Sequence, residues 1–149
     1  MLTPHEPFSG VAFRVHGTPA PQGSKRAFVV KGRAVVTDVN PATLRTWRED
    51  VKHAALEAMG GHPPMTGPVE VVVTFTLQKP RSVKRDLPSV RPDLDKLVRS
   101  TFDALTSAGV YADDSQVVTL SALKVYGIHP SAEVIVRMVD TQTREKVAA

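Results

Sequence analysis

Residues 69–78 read VEVVVTFTLQ, and this stretch decides the fold. Val69, Val71, Val73, Phe75 and Leu77 alternate onto one face while β-branched residues fill much of the other, the pattern of a central strand. Working outward, GHPPMTGP just ahead of it reads as a turn or loop. Before that, Leu44, Trp47, Val51, Ala54, Ala55 and Ala58 recur at helical spacing between Asn40-Pro41 and Gly60-Gly61, which predicts a helix over 41–59. RAFVV and RAVVTD face each other across Lys31-Gly32 as a hairpin, and GVAFRVHG is an alternating strand leading into the loop TPAPQGSKR.

On the far side, a basic, proline-containing loop occupies 79–92. Leu94, Leu97, Val98, Thr101, Phe102, Leu105 and Ala108 then form the stripe of a second helix, closed by Gly109. QVVTLSALKVYG and AEVIVRMVD are two further strands joined around His129-Pro130. The elements interleave without regular alternation, so the expectation is an α+β fold. We expect a single compact domain over 1–149 with one mixed β-sheet and two main helices, residues 1–10 and 141–149 forming flexible tails.

The 149 residues suffice for one core, and no apolar run reaches the roughly 18 residues of a membrane span. MLTPHEPFSG lacks the layout of a signal peptide, so a cytoplasmic location is expected. Absence of cysteine excludes disulfides and thiolate metal sites, leaving carboxylates or the five histidines, which show no paired ligand spacing. GTPAPQGSK is not a phosphate loop, because five residues separate its glycines and serine precedes lysine; no nucleotide cofactor is expected.

A formal charge of +4 matters only where it is clustered. Lys25, Arg26, Lys31 and Arg33 form one cluster; Lys79, Arg81, Lys84, Arg85 and Arg91, against the single acid Asp86, form another. Two such runs, one leading straight into an acidic pair, point to a polyanion.

That pair lies in RPDLDKLVRS, residues 91–100. Asp93 and Asp95 converge only at a helix mouth, because residues two apart within a helix diverge by about 200°. One reading is structural: an N-cap, with a second acid in the first turn favoured by the helix dipole. The other is half of a metal site, completed by the acids of YADDSQ, where Asp113 and Asp114 follow the helix. Hard divalent cations take oxygen ligands and relieve the repulsion among grouped carboxylates. Arg99, one turn beyond Asp95, would neutralise the cluster or clamp a phosphate, with Asp103 as its ion-pair partner.

RPDLDKLVRSTFDALTSAGVYADDSQV, residues 91–117, resembles the signature of the RusA-type Holliday-junction resolvases of bacteria and their prophages. GTPAPQGSKR is similar to that family's N-terminal segment, and the likeness extends over most of 11–137. The resemblance implies a symmetric homodimer that needs Mg²⁺, with Mn²⁺ as a substitute, and cuts two strands of a four-way DNA junction. It places the essential carboxylates and metal ligands on Asp93, Asp95 and Asp114. The family's catalytic lysine falls on Arg99, which keeps the charge but titrates too high to move a proton. Lys96 stands where many members have asparagine and adds charge near the phosphate. Lys25, Arg26, Lys79, Arg81, Lys84 and Arg85 would track DNA phosphates, with Lys96 close to the cut. Two alternatives stand beside this nuclease: a junction-binding protein that does not cut, and a nucleotide phosphohydrolase that has no need of the basic loops.

Overall fold

The chain in this computed structural model is described over residues 8–23, 25–38 and 40–140. Residues 1–7 and 141–149, most of the two expected tails, lie outside the described residues, as do the side chains of Lys25 and Arg26. Residues 8–10, also expected as tail, are part of the fold. Phe8 stacks on His62 with ring centroids 4.4 Å apart, the Ser9 carbonyl accepts from the Met138 amide, and Gly10 opens the first strand.

The strands are β1 (Gly10–His16), β2 (Lys25–Val30), β3 (Arg33–Asp38), β4 (Val69–Gln78), β5 (Val117–Gly127) and β6 (Ser131–Met138); the helices are α1 (Pro41–Met59) and α2 (Leu94–Ser107). β1, β6, β4 and β5 make a mixed sheet in that order, antiparallel except for the parallel pair β4–β5. β4 is therefore interior, and Val69, Val71, Val73 and Phe75 are almost wholly buried on its helix-facing side. Burial of each such side chain contributes about 1.5–3 kcal/mol. α1 covers this face with Trp47, Val51, Ala55 and Met59, and α2 with Leu97, Val98, Ala104 and Leu105.

The hairpin β2–β3 forms a second, two-stranded sheet of its own. Its apolar residues Val29, Val30 and Val36 are 73%, 45% and 66% exposed, so it brings no buried face to the main sheet. The composition that predicted these two strands carries no partner for them.

The parallel pair fixes where the site can lie. Two parallel strands need a crossover. Here the chain leaves β4, runs through residues 79–93, returns along α2 and re-enters at β5 through a short 3-10 turn, Asp114–Gln116.

Candidate active site

Asp93 occupies the N-cap position of α2 with extended backbone, φ −68° and ψ 138°. Its side chain nevertheless makes no capping hydrogen bond. Instead, its Oδ2 lies 3.2 Å from Lys96 Nζ, a half-exposed pair one turn along. Such a pair is worth at most about 1 kcal/mol, so it yields readily to a stronger cation. Lys96, expected to meet DNA, is thereby tied to Asp93. Asp95 is exposed in the first helical turn and has no hydrogen-bond or ion-pair partner among the described residues. Beside the Asp93–Lys96 pair opens a cavity of about 500 Å³, walled by Pro19, Ala20 and Pro21, by Asn40 and Thr43 at the start of α1, and by Arg91.

The two aspartates after α2 differ in kind. Asp113 is the capping residue: its Oδ1 accepts from the Ser115 amide at 2.8 Å, while Gln116 Oε1 accepts from the amides of Ala112 and Asp113. Backbone and side-chain hydrogen bonds from Ser115 hold the Asp113 carboxyl below the usual carboxylate range. Asp114 is exposed and takes no part in that box. Burial keeps the nearby Tyr111 phenol protonated far above its ordinary range, and the negative charges of Asp114, Asp103 and Asp113 add to this. Asp114 and Asp103, the latter on the later half of α2, thus both lie near the Tyr111 phenol.

Asp93 and Asp114 flank α2 from opposite ends. Lys124, paired in register with Phe75 on β4, donates from Nζ to the carbonyls of Val90 and Pro92, both at 2.9 Å. This fixes Asp93 near the end where β4 finishes. Gln116 Nε2 donates to the carbonyls of Met65 and Gly67, just ahead of Val69. Asp114 is therefore near the end where β4 begins. The 14 residues of α2 between them span about 21 Å. Among the described residues no three histidine or acidic side chains are grouped to hold a metal ion. The convergence of Asp93, Asp95 and Asp114 within one chain, expected from their order, is not what the crossover produces: it carries the two ends of α2 apart.

The segment 18–23, whose glycine and lysine spacing rules out a phosphate loop, is a strap across α2. The Ala20 carbonyl accepts from Ser100 Oγ at 2.6 Å, and the Gln22 amide donates to the Lys96 carbonyl at 3.0 Å. Gln22 Nε2 donates to Asp103, which replaces the ion pair expected between Asp103 and Arg99. Gly23, at φ +97°, lies so close to Arg99 that a Cβ there would stand 2.8 Å from Nη1. Arg99 is exposed and forms no ion pair with a described residue.

The basic loop after β4 is anchored as well as charged. Lys79 Nζ lies 5.8 Å from the centre of the Tyr126 ring, and Arg85 Nε donates to the Tyr126 hydroxyl at 3.0 Å. Within the loop Pro88 is buried, while Arg81 and Lys84 are exposed, with no ion-pair partner among the described residues. Sequence reasoning missed Lys124, although a signal was present. It falls in phase with Leu120 and Ala122 on the side facing the helices, where a charge needs a polar partner.

Residues 17–137 match the family Endodeoxyribonuclease RusA, and the chain belongs to that family. The chain is also similar to the uncharacterized protein YqaN of Bacillus subtilis (strain 168), with 32% identity over 143 residues, covering 87% of this chain and 96% of that one. No helix among the described residues is long and apolar enough to cross a membrane.

Proposed function

We propose that this RusA-family endodeoxyribonuclease is a Mg²⁺-dependent enzyme that resolves four-way DNA junctions by paired nicks, leaving 5′-phosphate and 3′-hydroxyl ends, in DNA recombination and repair in the cytoplasm. The observation that carries the proposal is the mouth of α2. Asp93 holds the capping position without capping and lines a cavity, and Asp95, in the next turn, has no partner among the described residues. The donor set fits the ion: exposed carboxylates that make no capping bond, of which Asp93 is engaged only in a surface pair with Lys96, suit a hard cation that keeps several of its waters. When bound, the metal would polarise a backbone phosphate and supply hydroxide near neutral pH.

Asp93, Asp95 and Asp114 would hold that ion. Because α2 separates Asp114 from the other two, we propose a homodimer in which Asp114 of a second copy completes the set of Asp93 and Asp95. Arg99, kept in place against Gly23 and lacking an acidic partner among the described residues, would meet the charge that accumulates on the phosphate. It serves as an electrostatic clamp only, since a guanidinium does not release its proton at neutral pH. Lys79, Arg81, Lys84 and Arg85, with Lys25 and Arg26, would track the backbone of the arms.

Incubation of an end-labelled four-way junction with Mg²⁺ should give symmetric nicks. Asp95→Asn should slow them by about 10²-fold or more, the scale on which loss of one stabiliser of transition-state charge registers. Cleavage by Asp95→Asn at the parent rate would exclude that residue from the site. The separation of the acids also favours the second reading, a junction-binding protein that does not cut. It predicts a shifted band with intact strands in the same assay.

A further inference from the structure

One charged surface belongs neither to the candidate site nor to the basic loops. Arg45, Arg48 and Lys52 recur along α1 at helical spacing and, with Ala104 and Ser107 of α2, line a cleft of about 370 Å³ between the two helices. Arg48 and Lys52 are four residues apart, and Arg45 and Arg48 three, so the stripe sets like charges side by side at a cost in helix stability. One acid lies among them, Glu49, four residues from Arg45 and three from Lys52, so the three cations leave a net positive face. Glu49 shares the cleft but forms no ion pair with any of the three. Asp50 is turned away toward the end of β1, where its Oδ2 would lie 2.7 Å from a Cβ added to Gly17.

The stripe is also continuous with the candidate site. The first turns of α1 contribute Asn40 and Thr43 to the cavity beside Asp93, and Pro41, Leu44 and Arg45 to the basic cleft. From Arg45 to Lys52 is about 10 Å along the helix axis. That length lets the stripe meet consecutive phosphates on one strand of a duplex.

We propose that the Arg45–Arg48–Lys52 face of α1 is a second phosphate-tracking surface, which takes the backbone of a DNA arm leaving the candidate site. The proposal rests on the reading of the chain as a nuclease acting on DNA. Polyanion binding requires neither base contacts nor an apolar pocket, which accords with a shallow cleft walled by two arginines and a lysine.

The test is the salt dependence of junction affinity, measured on the full chain in EDTA between about 50 and 200 mM monovalent salt. The triple variant R45Q/R48Q/K52Q should show a plot of log affinity against log salt that is shallower by about 2 to 3, at about 0.9 for each phosphate no longer neutralised. The charge-preserving R45K/R48K/K52R should keep the parent slope. A triple glutamine variant with the parent slope overturns the proposal. So does one whose affinity falls at unchanged slope, since the defect then lies in fold or assembly and not in phosphate binding. A parent that binds with this salt dependence but never cuts, even with Mg²⁺, refutes the nuclease reading and leaves the α1 surface standing. A parent that cuts while the glutamine variant keeps its slope refutes the α1 surface alone.

Discussion

Neighbouring aspartates with the same side chain do different work in this chain, and hydrogen bonds separate them. Asp113 spends its carboxylate on the Ser115 amide, whereas Asp114 stays exposed beyond the capping box. Asp113→Ala should therefore lower the melting temperature, and Asp114→Asn should leave it close to the parent while abolishing cleavage. The pH dependence has a definite sign. The folded-state pKa of Asp113 lies below its ordinary value of 3.8, so the stabilisation it provides is complete above that value. It is lost as pH falls through the lowered folded value, and the gap between parent and Asp113→Ala should close there in thermal melts. From sequence, the four acids around α2 were legible as candidates. Which of them cap was not, because capping depends on whether a carboxylate turns back over its own backbone, and the residue type permits either outcome.

At the scale of elements, periodicity carried most of the information. Both helices and the strands β1, β4, β5 and β6 fall where alternation or a 3.6-residue stripe placed them: all but β5 bury one face against a common core, and β5, at the sheet edge, packs Val117 and Ala122 against it. The hairpin was legible as a hairpin, but its separation from the main sheet was not, since no local pattern states which surface two exposed strands adjoin. The loop of residues 79–92 reads as a solvated basic run, yet Lys124 pins it from β5 through the carbonyls of Val90 and Pro92. That bond sets the backbone immediately ahead of Asp93. Lys124→Met should remove two charge-assisted hydrogen bonds, each worth about 1.5–3 kcal/mol, and loosen the mouth of α2. The expected result is a higher Mg²⁺ concentration for half-maximal cleavage, with Lys124→Arg recovering part of the loss. An unchanged Mg²⁺ dependence in Lys124→Met would show that the loop's anchorage does not reach the site.

Across the whole molecule, the decisive feature is the parallel β4–β5 pair. A parallel pair demands a crossover element, and α2, as that element, holds Asp93 and Asp95 at one end of the sheet and Asp114 at the other. Sequence order suggested that twenty-odd residues would fold into one nest; topology spaces them by the length of a helix instead. The proposed twofold dimer would reconcile the separation with a shared site, and the proposed four-way junction would be a substrate of matching symmetry. Mixing two inactive variants tests this directly. Asp95→Asn and Asp114→Asn, each inactive alone, should regain nicking when unfolded and refolded together, because one of the two shared sites in each mixed dimer then holds only native acids. If the mixture stays as inactive as its components while a parent sample treated the same way recovers full cleavage, Asp95 and Asp114 do not meet across a dimer.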